Sequence, residues 1–137
     1  MIFIDTNVVS ETMRKRPDRK VLEWLERHDR EIALSTVVIA EITFGIEKIA
    51  HDQRAARFSI TLAEIRARHA TRIFGLTEDA AIECGRIMGE AYRRGREMTT
   101  PDGMIAAIAR VNGGRLATRN LRHFETCDLD LASPWEF

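Results

Sequence analysis

The sequence predicts a single α/β domain, residues 1–137, built around a short parallel sheet. Three observations predict it. Apolar runs short enough for buried strands alternate with longer segments whose apolar residues recur every three or four positions. Good helix-capping residues stand at the joins between them. No Pro- or Gly-rich linker, internal repeat or low-complexity tract interrupts the alternation.

The elements follow in order. Ile2-Phe3-Ile4 is the first strand-like run, and it ends on a carboxylate, Asp5. Asp18–His28 carries Val21, Leu22 and Leu25 beside Trp24, an amphipathic helix with an acid at its start. Ile32-Ala33-Leu34 is a second strand, closed by the capping pair Ser35-Thr36. From Val37 to about Ala50, residues Ile39, Ile42, Ile46 and Ile49 share one helical face. Gln53–Ala70 repeats the pattern with Phe58, Leu62 and Ile65, and Ile73–Leu76 reads as a third strand. Thr77 followed by Glu78 and Asp79 opens a helix that runs to a glycine stop at Gly95. The stretch Met98–Gly103 leads into an apolar helix, Met104–Val111, closed by Asn112-Gly113-Gly114. Leu116–Thr118 is a fourth strand, and the alternation in Asp128–Leu131 predicts an edge strand.

Composition narrows the function classes. Formal charge is zero, so no global basic field announces a nucleic-acid binder. Of the 21 cationic side chains 18 are Arg, whose planar fork suits phosphate, although a GC-rich genome produces the same bias. Cys84 and Cys127 lack metal-site or redox spacing and read as reduced, structural thiols. There is no signal-peptide pattern and no run near the roughly 18 apolar residues of a membrane span, which predicts a cytoplasmic protein without a membrane partner.

The acids carry the chemistry. Parallel α/β sheets place working residues beyond the C-terminal ends of their strands, where Asp5 stands. Glu41 follows the second strand, amid Val37, Val38, Ile39, Ala40 and Ile42, where a charge is costly unless compensated. Asp102 follows Pro101, a first-turn residue, and so sits at a helix start. Each acid has a plain structural reading: Asp5 as a cap, Glu41 paired with an Arg, Asp102 placed against the helix dipole. Gathered at one sheet edge, the three would raise each other's pKa unless a cation sat among them. A hard divalent cation binds through a few carboxylates and waters. Facing a phosphodiester, that set can generate hydroxide and stabilise the leaving oxygen.

Four stretches, MIFIDTNVVSE (Met1–Glu11), STVVIAEITFG (Ser35–Gly45), PDGMIAAIA (Pro101–Ala109) and LATRNLRHF (Leu116–Phe124), resemble in order the PIN-domain toxins of the VapC type. The resemblance extends to the closing Pro134-Trp135. It implies a three-layer α/β/α PIN-like domain with a short central, mainly parallel sheet. It further implies a metal-dependent endoribonuclease that hydrolyses phosphodiester bonds in tRNA or rRNA, as the toxin of a toxin–antitoxin pair. By position, Asp5, Glu41 and Asp102 resemble the family's metal ligands for Mg²⁺, with Mn²⁺ as a substitute. Asn120 joins them as a catalytic candidate, and Thr6, Asn7, Thr118 and Arg119 as substrate-binding or orienting residues. Asn120 and His123 stand where many relatives carry acids, so negative charge is missing from any second metal position. The implied partners are an RNA substrate, a VapB-type antitoxin, a second copy in a homodimer and operator DNA reached through the antitoxin.

Rival readings are weaker. An Asp-nucleophile phosphotransferase wants Asp-x-Asp after the first strand, and this chain has Asp5-Thr6-Asn7. A receiver domain wants an adjacent acid pair and a late lysine, and the last lysine is Lys48. A non-catalytic PIN-fold module that binds RNA or protein is opposed by the intact acids. Four histidines show no zinc-ligand spacing. The clusters Arg14–Arg16, Arg66–Arg68 and Tyr92–Arg96 read as solvated faces, with phosphate tracking as the alternative. The helices Asp18–His28 and Val37–Ala50, with Trp24 and Phe44, are expected to form an apolar groove, which the resemblance assigns to an antitoxin peptide.

Overall fold

The computed structural model describes all 137 residues, Met1–Phe137. Five strands form one sheet: β1 (Ile2–Ile4), β2 (Ile32–Ser35), β3 (Ile73–Phe74), β4 (Arg115–Ala117) and β5 (Leu131–Ala132). Their order is β3-β2-β1-β4-β5, and every pairing is parallel. The chain builds outward from β1 through β2 to β3, then returns to β4 on the other side of β1. That reversal between β1 and β4 is where open α/β sheets leave a crevice for a ligand.

Six α-helices cover the sheet: α1 (Thr6–Met13), α2 (Arg19–Arg27), α3 (Thr36–Lys48), α4 (Arg54–Arg68), α5 (Glu78–Arg93) and α6 (Thr100–Val111). The first four pack in succession, α1 on α2 and α3, and α3 on α4. Helices α5 and α6 pack on each other and on a 3-10 segment, Leu121–Cys127. Right-handed crossovers running in opposite directions from β1 put the two groups on opposite faces, giving three layers. Burial on both faces explains why the strands are continuously apolar rather than alternating. All of β1 is buried, Phe3 fully, and so is the run Ile105–Ala109 of α6.

Most element expectations hold, including Asp18, Ser35 and Thr77 as the N-caps of α2, α3 and α5. Helix α1 is an addition, and its N-cap is Asp5. Helix α6 begins at Thr100, not Met104, because the Thr99 hydroxyl accepts the Asp102 N–H and Pro101 fits the first turn. The expected strand Asp128–Leu131 shrinks to Leu131–Ala132, since Asp128 adopts a left-handed conformation (φ 50°) that no strand accommodates. The expected groove between α2 and α3 is also corrected. Trp24 is buried and stacked on His28, and α2 packs on α1 and the C-terminal turn Pro134–Glu136. The open cleft lies instead between α1, α3 and α4.

Candidate active site

Parallel pairing of Ile4 with Ala117 brings the ends of β1 and β4 side by side. Asp5 continues the ladder by donating its N–H to the Ala117 carbonyl (3.1 Å). Its side chain is divided between two tasks. Oδ1 accepts the Val8 N–H (3.1 Å), capping α1, and Oδ2 accepts the Thr118 hydroxyl (2.5 Å). The capping reading of Asp5 is therefore correct, and it does not compete with a role at the sheet edge. Thr118 has no exposed surface; its hydroxyl also accepts the Asn120 N–H (3.0 Å). Thr118 thus meets Asp5 directly, from a position without exposed surface.

Glu41, half-buried on the second turn of α3, accepts the Thr6 hydroxyl on Oε1 (2.6 Å). The compensation expected for this acid is thus a threonine and not an arginine. Thr6 directly follows Asp5, so the bond ties Glu41 to the same sheet edge. Asp102 lies in the first turn of α6 with its side chain about a quarter exposed, and its Oδ2 is 3.6 Å from His123 Nδ1. His123, which stands where many relatives carry an acid, reaches Asp102 on the 3-10 segment, which has no strand or α-helix pattern to announce it.

Burial holds the Asp5 carboxyl above the usual carboxylate range. The Thr118 and Val8 hydrogen bonds oppose that rise, and the negative charge of Asp102 adds to it. The three acids share one edge but do not close into a ready-made ion-sized cluster. An all-oxygen set of carboxylates suits a hard divalent cation that keeps part of its hydration shell.

The other candidates lie around this edge. Asn7 is exposed, two residues past Asp5 in the first turn of α1. Asn120 is half-buried, two residues past Thr118. Arg119 is exposed with its guanidinium over the Trp135 ring, 5.2 Å from the centroid. That contact anchors the closing Trp135 and holds Arg119 beside the site.

Comparison with known proteins agrees with this geometry. The model of the PIN domain matches residues 2–129. A protein named VapC ribonuclease Y4jK, from Sinorhizobium fredii, is 36% identical over 99% of both chains. Toxin FitB of Neisseria gonorrhoeae is 31% identical, over 98% of this chain and 99% of its own. The solved structure of FitAB bound to an IR36 DNA fragment superposes with a TM-score of 0.91 at 29% identity, covering 100% of this chain and 97% of the other. The crevice between β1 and β4, its acids and these matches together place the chain in the PIN-domain family, among the proteins of the VapC type.

Proposed function

We propose that the protein is a metal-dependent endoribonuclease and the toxin of a toxin–antitoxin pair. The observation that carries this reading is the Asp5 carboxylate, buried between the Thr118 hydroxyl and the charge of Asp102. Keeping two carboxylates together at neutral pH is unfavourable unless a cation compensates them. Asp5, Glu41 and Asp102 would hold Mg²⁺ or Mn²⁺, which supplies a water of lowered pKa and stabilises the developing charge on the leaving oxygen. Thr118 and the α1 N-terminus fix Asp5, and Thr6 fixes Glu41, so the acids are oriented before substrate arrives. Asn120 and Asn7 offer amide groups at the rim for a phosphate or its waters.

The ribonuclease relative supports RNA as substrate; the tRNA or rRNA class is part of the proposal. FitAB bound to DNA supports a VapB-type antitoxin partner that leads to operator DNA; a homodimeric toxin within that assembly is part of the proposal. The test is Asp102→Asn, which keeps shape and removes charge. The expected result is loss of Mn²⁺-dependent RNA cleavage with an unchanged melting temperature, and loss of wild-type cleavage in excess chelator. Undiminished cleavage by the variant, or by wild type in excess chelator, would overturn the metal mechanism; no cleavage by wild type with Mn²⁺ would leave the non-catalytic PIN-fold module as the better reading.

A further inference from the structure

We infer that the cleft between α1, α3 and α4 is the track along which the phosphates of the RNA reach the acids. The cleft is about 830 Å³, and its inner wall includes Thr6 and Glu41, the hydrogen-bonded pair of the candidate site. Its rim carries Arg14, Lys15 and Arg16 from the α1–α2 link, and Arg54 and Arg57 from the first turn of α4. In a chain of zero net charge, five cations around one opening is a strong local bias.

Not all of that charge is neutralised within the protein. Arg14 pairs with Glu11 and Arg54 with Asp52. Arg57 donates to the Met13 carbonyl (3.0 Å), which fixes the guanidinium without cancelling its charge. Lys15 and Arg16 are exposed and have no carboxylate within ion-pair distance. Three cations therefore face the opening unpaired, and no acid occupies the first turn of α4. Basic side chains along a groove track a nucleic-acid backbone, while apolar and aromatic walls accept base faces. Met13, Ile42, Ile46 and Phe58 supply such walls.

An acidic protein segment would also meet these cations. RNA is favoured by position: a strand whose scissile phosphate lies at Glu41 and Asp5 must continue on either side, and the cleft is the opening that begins at Glu41. The inference rests on the proposed ribonuclease function. Phosphate contacts here supply affinity and register, not base specificity.

The test measures binding of a fluorescein-labelled single-stranded RNA by anisotropy across a KCl series, in excess EDTA to prevent cleavage. Removing two phosphate contacts by Lys15→Ala with Arg16→Ala is expected to flatten the salt slope by about 1.4, and to weaken binding on the order of tenfold near 0.1 M salt. Arg86→Ala, at an exposed position of α5 outside the cleft, should leave both unchanged. An unchanged slope in the double variant, or equal flattening by Arg86→Ala, overturns the inference. If the double variant loses affinity for a fluorescent hexaglutamate peptide while its RNA slope is unchanged, the cleft belongs to an acidic protein segment instead. Wild-type cleavage of the same RNA with Mn²⁺ is read separately: its absence sinks the ribonuclease reading, while the slopes still judge the cleft.

Discussion

Thr118 and Asp5 stand 113 residues apart in the chain and share a 2.5 Å hydrogen bond at the C-terminal ends of neighbouring strands. The bond exists because the β1–β4 register pairs Ile4 with Ala117, leaving the next residue of each strand side by side. A fully buried hydroxyl held between Asp5 Oδ2 and the Asn120 N–H has little rotational freedom. The aim of the Asp5 carboxylate is thus set by the sheet.

Thr118→Val tests that dependence with nearly constant volume. The valine leaves Asp5 Oδ2 buried without its donor, which costs about 1–3 kcal/mol. Cleavage should fall at least tenfold, because a carboxylate without its orienting bond loses part of its preorganisation. Thr118→Ser, which retains the hydroxyl, should recover most of the activity. RNA cleavage and thermal melting of both variants check this, and full activity in Thr118→Val would show that Asp5 needs no hydroxyl to hold it.

The placement of Asp5, Glu41 and Asp102 was legible because short apolar runs and capping residues fix where strands end and helices begin. What the acids bind to was not. Glu41 could have met an arginine, and only the turn of α1 over the sheet edge brings the Thr6 hydroxyl to it. Helix α1 is signalled only by the capping reading of Asp5, because the polar residues after Asp5 suit a site as well as a helix start. The 3-10 segment did carry a signal: Leu121, Phe124 and Cys127 repeat every three residues, the period of that helix, and the latter two are buried. The groove misassignment has a different cause. Trp24 and the α3 face are apolar as expected, but periodicity does not tell which helix a face will meet, and here the turn Pro134–Glu136 covers α2.

Gly114 offers a stability test remote from the chemistry. It precedes β4, and a Cβ there would lie 2.7 Å from the Phe3 ring and 3.3 Å from the Met1 carbonyl oxygen. Phe3 is fully buried in the sheet and its ring also meets Phe74, so it has little room to retreat. Gly114→Ala should destabilise by about 1–3 kcal/mol through overpacking. At Gly113, where φ is +66° and a Cβ meets nothing, alanine should cost about 1 kcal/mol from the backbone alone. Urea melts of the two variants distinguish the causes; equal losses would mean that the Phe3 ring yields.

Asp5 makes the stability depend on pH and metal in a defined direction. Its folded-state pKa lies above the unfolded value, so between the two the folded chain holds more protons than the unfolded one. By linkage, the contribution of Asp5 to stability is full below the unfolded pKa, near 3.9, and is lost as pH rises through the folded pKa. In chelator, Asp5→Asn removes this loss, so its melting temperature relative to wild type should rise from pH 4 to pH 7. Divalent cation should act oppositely: at pH 7, Mn²⁺ binding to the folded state raises the wild-type melting temperature and leaves Asp5→Asn nearly unmoved. Scanning fluorimetry across pH, with EDTA or Mn²⁺, reads both effects. A melting difference that stays flat with pH would mean the Thr118 and Val8 hydrogen bonds fully offset burial, and equal Mn²⁺ shifts in the two proteins would remove Asp5 from the proposed ligand set.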